Sequence, residues 1–237
     1  MIFHDLTLVE RLDATRRGTE LFARHLAELG DDEFAQPSGL PDWTRAHLVA
    51  HVGYNAAALS RLTDWAATGI ETPMYDSVEQ RGREIDEGAT ESVQDLRDRF
   101  EHTARLLDDK WLSLPKSFWS NEVRTIQGRT VPASETVWLR AREVWIHAVD
   151  LGNGAEFSDI PEPVLRSLVD DVVKAWRTRG VGSELALDIS DEQSLVVGDE
   201  HLISVSGDLP SIVQWVAGRG SSGVSGVPVG LIAPRWL

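Results

Sequence analysis

Two segments of the chain each carry metal-ligand side chains one helical turn apart. The first reads His47-Leu-Val-Ala-His51, and the second reads Glu143-Val-Trp-Ile-His147. Residues four apart lie on the same face of an α-helix, so each segment presents a pair of donor side chains. Packing two such helices side by side brings the pairs together. This spacing therefore favours a helical bundle that holds a metal ion between its helices.

The composition limits the classes of function. The 237 residues, 42% of them hydrophobic, are enough for one large domain or two modest ones. The 23 basic and 38 acidic residues give a net charge of −15, which repels nucleic acid and anionic membrane surfaces, so we expect neither as a partner. Cysteine is absent. Any thiol chemistry must therefore use a thiol supplied from outside the chain.

The beginning of the chain does not resemble an export signal. Its first residues, Met1-Ile-Phe-His-Asp-Leu, lack a basic segment followed by an apolar run. No stretch approaches the roughly 20 apolar residues that a membrane-spanning helix needs. We therefore expect a cytoplasmic protein.

The first 155 residues have the pattern of a helical bundle. Apolar residues recur with the helical period, Asp42 or Thr44 can cap the second helix, and Gly30 and Gly69 follow two of the helices. Residues 112–131 are typical of an extended excursion or loop. The predicted helices span residues 6–29, 42 or 44 to 68, 77–87, 92–111 and 132–151.

From residue 156 onward the pattern is mixed. It predicts an amphipathic helix over 161–179 and a short one over 209–217. Short β-branched runs predict strands at 184–189, 194–197, 201–205 and 227–232. The expected fold is α+β with two domains: a helical bundle over 1–155 and a smaller α+β domain over 156–237, with a short antiparallel or mixed sheet.

Neither ligand pair is informative alone, since histidines at this spacing arise by chance and Glu143 with His147 is also a common surface pair. Together the two pairs predict a metal site. Two histidines and one carboxylate are typical of catalytic zinc sites with open positions, and non-haem iron uses a similar set. The spacing leaves open whether His47 or His51 binds. The side chains expected to exclude water are Trp43, Trp138, Val144 and Trp145.

Two further polar residues follow the candidate ligands on the same helix faces. Asp150 lies three residues beyond His147, where it can orient a ligand or a thiol cofactor. The alternative is an acid at the helix end with no role. Asn55, four residues beyond His51, can likewise point into the site.

The two ligand segments resemble a known paired signature. Leu40-Pro-Asp-Trp-Thr-Arg-Ala-His-Leu-Val-Ala-His-Val-Gly and Arg140-Ala-Arg-Glu-Val-Trp-Ile-His-Ala-Val-Asp-Leu-Gly are similar to segments of the mycothiol-dependent maleylpyruvate isomerases. That family has an N-terminal domain with the DinB-like four-helix fold. Its C-terminal α+β domain, distantly like sterol carrier proteins, ends in a helix and Gly-Arg, as in Trp215-Val-Ala-Gly-Arg219. The resemblance covers both domains.

The resemblance implies a metal site and a reaction. His51, Glu143 and His147 would bind a divalent metal, usually zinc, and His47 would lie behind the ligands or be structural. The reaction converts maleylpyruvate to fumarylpyruvate by metal-assisted thiol addition, bond rotation and elimination, with mycothiol as the thiol cofactor.

The implied substrate is a dicarboxylate whose addition product is an enolate, so cationic donors are needed close by. By the match to the family's Gly-Arg, Arg219 is the first candidate for carboxylate binding. His51 and Asp150 are the other catalytic candidates, and Asp150 and Asn55 are the candidate contacts of the cofactor. Weaker candidates, expected to be solvated or paired with acids, are Arg81, Arg83, Arg140 and Arg142.

Other functions are compatible with the same residues. One is a mycothiol S-transferase or another metal-dependent detoxifying enzyme on this scaffold. Another is a non-catalytic protein that binds a structural metal and an apolar ligand. A structural zinc is closed by a fourth protein ligand, so the mixed His and Glu set and the lack of cysteine favour an open, catalytic position. We expect a monomer.

Overall fold

The computed structural model describes residues 1–190, 195–198 and 203–236. The chain forms two compact units, one of Leu8–Ala155 and one of Met1–Thr7 with Glu156–Leu237. The described residues contain seven α-helices and five strands in two sheets. This confirms the predicted α+β layout. Across the described residues, no helix is long and apolar enough to span a membrane.

The larger unit consists of five helices and a small hairpin. The helices are α1 (Leu8–Glu28), α2 (Arg45–Thr68), α3 (Val78–Gly88), α4 (Val93–Ser113) and α5 (Glu135–Asp150). Helix α2 packs against α4 and α5, and α1 packs against α5, which makes the predicted four-helix bundle. Helix α3 packs against α2 outside this bundle.

Helix α2 is the central element of the bundle. It is capped at its start by Thr44, whose hydroxyl accepts the backbone N–H of His47, and at its end by Gly69 in the left-handed conformation with φ 74°. Most of its side chains are buried, because it contacts neighbours on more than one face. A helix buried on several sides holds its side chains in fixed positions.

Close contact between α1 and α5 depends on a glycine. A Cβ placed on Gly18 would lie 2.7 Å from Nε1 of Trp145 and 2.8 Å from Cγ2 of Val144. Trp145 also donates from Nε1 to the backbone oxygen of Ala14 at 3.1 Å. The absent side chain at Gly18 thus makes room for the Trp145 ring between the two helices.

The last helix of the bundle begins later than predicted, because a hairpin precedes it. Strands β1 (Glu122–Arg124) and β2 (Thr130–Pro132) pair antiparallel, with Glu122 opposite Pro132. Pro132 therefore belongs to a strand, although its fixed φ suggested a helix start. The helix begins three residues later, at Glu135, because the backbone N–H of Ala133 still donates across the hairpin to Asn121.

The smaller unit contains helices α6 (Glu162–Arg179) and α7 (Leu209–Val216) and strands β3 (Leu185–Ile189), β4 (Leu195–Val196) and β5 (Ile203–Gly207). The sheet order is β4-β3-β5, with β4 antiparallel and β5 parallel to β3, so the sheet is mixed. Trp176 of α6 and Trp215 of α7 meet edge to face at 6.4 Å. The predicted strand starts at Ser194 and His201 lie outside the described residues.

The strand predicted at 227–232 is wrong. Pro228 has no N–H to donate to a sheet, and Gly230 adopts φ 85° in a turn closed by the N–H of Leu231 on the oxygen of Pro228. Two of the β-branched residues there, Val229 and Ile232, are exposed, Val229 completely so. Among the described residues, no strand pairs with this run, and it does not form a strand.

The first seven residues pack with the smaller unit, whereas the predicted boundary placed them with the bundle. Phe3 is fully buried, and its backbone N–H donates to Oγ of Ser167 at 2.8 Å. Ser167 lies on α6, and its hydroxyl satisfies a donor that burial would otherwise leave unpaired.

Replacing Gly18 by alanine should destabilise the bundle. We expect Gly18→Ala to lower the free energy of unfolding by about 1–2 kcal/mol, since overpacking against Trp145 outweighs the helix propensity gained. Gly82→Ala is the matched control, because its new Cβ meets no atom within 4 Å; it should raise stability by roughly 0.5–1 kcal/mol. Urea unfolding followed by circular dichroism measures both, and equal effects would contradict the packing argument.

Candidate metal centre

Three donor side chains from α2 and α5 meet inside the bundle. His51 extends from α2, and Glu143 and His147 extend from α5 one turn apart. Oε2 of Glu143 lies 2.9 Å from Nε2 of His51 and 3.2 Å from Nε2 of His147. The donor atoms of all three lie within 4.8 Å of one another. Two segments 92 residues apart thus form one ligand cluster.

His47 lies away from this cluster. Its Nδ1 is 2.7 Å from Oγ1 of Thr44, at the first turn of α2, and its ring stacks on Trp43. His51, one turn further along, is 4% exposed and lies where α2 faces α5. The structure therefore groups His51 with the α5 donors and uses His47 to cap the helix.

A carboxylate behind the cluster orients one of the histidines. Nδ1 of His147 lies 2.9 Å from Oδ2 of Asp150, which is 2% exposed. Because an ionised carboxylate only accepts, Nδ1 carries the hydrogen and Nε2 faces Glu143. This is the arrangement that fixes a ligating imidazole in metal sites.

The two histidines differ in their affinity for a proton. Burial lowers the pKa of His51 to about 4, in spite of the nearby Glu143 carboxylate. Burial also disfavours charge on His147, but its hydrogen bonds to Asp150 and Glu143 outweigh burial and raise its pKa. Burial disfavours the Glu143 anion as well, yet hydrogen bonds from both histidines bring its pKa well below the usual value.

This donor set fits a divalent cation. Glu143 supplies an ionised oxygen, His51 a neutral imidazole, and His147 an imidazole whose Nε2 a cation can take in place of a proton. Donors bound at about 2.0–2.1 Å to one zinc ion lie about 3 Å apart, close to the spacing from Glu143 to each histidine. The chemistry and spacing of the three residues both suit zinc.

Of the three tryptophans close to the ligands in sequence, one covers a ligand and two pack in the bundle. The Trp43 ring lies 5.4 Å from the ring of His51 and covers it. Trp145 instead contacts α1, because its position on α5 places it on the opposite face from Glu143 and His147. Trp138 lies on α5 more than one helical turn before Glu143; it is 1% exposed and belongs to the core.

The remaining predicted site residues occupy different places. Asn55 is 6% exposed, and its Oδ1 accepts a hydrogen bond from Nη1 of Arg140 at 3.0 Å. Arg219 lies in the smaller unit, directly after α7, where its Nη1 donates to the oxygen of Ala217. Asn55 is thus anchored beside the α2 ligand, and Arg219 closes the turn that follows α7.

Three of the four arginines named as weaker candidates, Arg81, Arg140 and Arg142, lie beside the ligands instead of being fully solvated. Arg140 is 1% exposed and donates from Nη1 to the oxygen of Val52 at 2.7 Å. Burial lowers the pKa of Arg140 to about 10, so it stays charged at neutral pH. Nη2 of Arg81 donates to Nδ1 of His51 at 3.2 Å, and Nε of Arg142 lies 3.7 Å from Oε1 of Glu143. The tertiary contacts, rather than any spacing along the chain, reveal this cluster.

Comparison with known proteins identifies the family. Residues 15–152 match the mycothiol maleylpyruvate isomerase N-terminal domain. The chain belongs to the mycothiol-dependent maleylpyruvate isomerase family. Two solved structures, the mycothiol-dependent maleylpyruvate isomerase and a mutant of it with one histidine changed to alanine, each share 47% identity and a TM-score of 0.95, with 100% of both chains covered. No curated protein matches this chain.

The family assignment confirms the resemblance drawn from the two ligand segments. His51, Glu143, His147 and Asp150 all lie within the matched N-terminal domain. Arg219 lies beyond that domain but within the part of the chain that the two solved structures cover. The whole chain, with both units, is therefore comparable to an isomerase of this family.

We expect His51→Ala to lose the metal and His47→Ala to keep it. Removal of a ligand should weaken metal binding by more than the roughly 10–100-fold that loss of an outer hydrogen-bond partner costs. His47 contacts Thr44 and Trp43 instead. Bound metal per chain, measured by mass spectrometry and by chelator competition, separates the two variants. Equal metal content in both would contradict the ligand assignment.

Proposed function

We propose that this chain is a mycothiol-dependent isomerase that converts maleylpyruvate to fumarylpyruvate at a zinc centre of His51, Glu143 and His147. The observation that carries the proposal is full-length similarity, 47% identical at a TM-score of 0.95, to an enzyme with that activity. The cluster of three donors adds independent support, since it lies inside the family domain and suits a divalent ion.

The chain needs both a metal and a thiol for this reaction. Isomerisation about a carbon–carbon double bond requires that bond to become single, which a reversibly added nucleophile achieves, and the chain has no cysteine. When bound, the metal favours the thiolate form of a thiol, and mycothiol supplies that thiol. The two histidines and one carboxylate hold the ion and leave further positions for other ligands.

The residues around the ligands prepare this centre. Asp150 keeps the hydrogen of His147 on Nδ1, so Nε2 is directed at the ion. Trp43 covers His51 and removes water from one side of the site, which strengthens charge interactions there. We propose that Asn55 contributes to cofactor binding through its anchored position one turn beyond His51.

Activity of the purified protein tests this function. We expect the absorbance of maleylpyruvate to change when zinc-loaded protein and mycothiol are both present, and not when either is missing. A simple thiol serves as the cofactor control. His51→Ala should abolish turnover while keeping the helical circular dichroism signal, because a bundle with a large apolar core does not depend on a catalytic metal for its fold.

The outcomes of that assay separate the alternatives. Turnover by metal-free protein would refute the metal-assisted mechanism. Metal binding without turnover of maleylpyruvate would refute the isomerase assignment and favour an S-transferase, which mycothiol consumption with other electrophiles would detect. His47→Ala, which keeps the three ligands, should retain activity.

We also propose that Arg219 binds a carboxylate of the substrate. Arg219→Ala should raise KM or lower kcat by roughly 10-fold or more, the cost of one charged hydrogen bond, with metal content unchanged. Arg235→Ala, an exposed arginine of the same unit, is the control. Steady-state kinetics beside metal analysis measures the effect. Kinetics equal to those of Arg235→Ala would remove Arg219 from the site.

A further inference from the structure

Among the described residues of the bundle that lie next to the ligand cluster, arginines outnumber carboxylates. Among the groups next to the ligands, the three arginines Arg81, Arg140 and Arg142 face the two carboxylates Glu143 and Asp150. Among these described groups of the bundle, positive charge is in excess before a metal binds, and the sum is three positive charges once a divalent ion takes the place of the proton on Nε2 of His147. A buried excess of charge is costly unless a partner of opposite sign neutralises it. The cluster is therefore suited to anionic ligands.

A second group of charges nearby does not alter this balance. Arg61 and Glu84 both act on the hydroxyl of Tyr75, which burial keeps protonated by raising its pKa to about 12. These two residues have opposite charges, so their sum is zero. The excess beside the metal ligands thus comes from the three arginines.

Two of these arginines are largely buried and contact other groups of the protein. Arg140 is 1% exposed, and its Nη1 donates to Val52 and Asn55. The Arg142 side chain is 12% exposed and lies against Glu143. Neither offers its charged end freely to a molecule that enters from solvent.

Arg81 differs from both in its exposure and its partners. It is half-buried, and its guanidinium contacts a neutral imidazole nitrogen, Nδ1 of His51. Within the described part of the chain, no carboxylate lies within ion-pair distance of Arg81. A guanidinium has five N–H donors, and one of those on Arg81 contacts His51. When Nε2 of His51 binds a metal, its Nδ1 carries the ring hydrogen and cannot accept, so this donor becomes available as well. A cation beside a metal ligand is thus left with unused donors.

The fold holds Arg81 in this position. It lies in the first turns of α3, which begins at Ser77 with Oγ accepting the N–H of Gln80 at 3.0 Å. Helix α3 packs against α2, the helix that carries His51. Because both ends of the contact belong to packed helices, the guanidinium can meet a ligand without a large loss of conformational entropy.

We propose that Arg81 binds one carboxylate of the substrate next to the metal and so selects dicarboxylates over monocarboxylates. The fork of the guanidinium matches two carboxylate oxygens, and such charge-assisted pairs are stronger than neutral hydrogen bonds. The inference rests on the proposed function, in which the substrate is a dicarboxylate. It adds a specificity-determining residue from the helical unit itself.

Binding of maleate to the zinc-loaded protein tests this role. Maleate is a cis dicarboxylate, and isocrotonate is the monocarboxylate of the same length and double-bond geometry. By titration calorimetry, we expect the wild-type protein to prefer maleate. Arg81→Gln should raise the Kd for maleate roughly 10-fold or more, the cost of a hydrogen bond to a charged group, and reduce that preference. Arg81→Lys should restore part of it.

Arg83→Gln is the matched control, since Arg83 is exposed on the same helix and loses the same charge. It should leave the maleate Kd within twofold of the wild-type value, and all variants should bind one equivalent of zinc. The inference is overturned if Arg81→Gln binds maleate like the wild type, if Arg83→Gln is impaired equally, or if the wild-type protein does not bind maleate.

The result is separable from the test of the proposed function. Arg81-dependent maleate binding without turnover of maleylpyruvate supports the inference and refutes the isomerase assignment. Turnover with maleate binding that does not depend on Arg81 supports the isomerase and refutes the inference. If both hold, Arg81→Gln should also raise KM for maleylpyruvate while Arg83→Gln does not.

Discussion

The packing of α2 against α5 is the contact on which the candidate centre depends. His51 comes from one helix and Glu143 from the other, and their donor atoms lie 2.9 Å apart. Fully buried side chains such as Val52 fill the bundle around them, and Arg140 of α5 donates to the oxygen of Val52 on α2. Apolar burial supplies the attraction, and this hydrogen bond fixes the relative position of the helices.

The same interface holds charges that are costly to bury. His147 is held between Asp150 and Glu143, and this pairing overcomes the effect of burial on its pKa. Arg140 retains a buried Nη2 without a hydrogen-bond partner among the described residues. Apolar residues of similar volume commonly give an interface that is as stable or more stable. Under the proposed function these polar groups have a role, since they would hold a metal ion and meet anionic ligands.

Much of the fold follows from local patterns. The helices lie close to their predicted bounds because capping residues and helical periodicity act within one segment, as Thr44 and Gly69 do for α2. The errors arose where distant residues decide. Pro132 is in a strand because it pairs with Glu122. The run at 227–232 remains irregular because it contains Pro228 and because, in the part of the chain that the structure describes, no strand pairs with it.

By itself, the sequence determined the donor types, their spacing on two helices and, by resemblance, the family. Spacing four residues apart places side chains on one face whatever surrounds the helix. The resemblance implied that His51 is the ligand, but only the tertiary structure placed His51 beside the α5 donors, used His47 to cap α2 and brought Arg81 to His51. Both histidines satisfy the same local rule, so the choice between them depends on how α2 packs against α5.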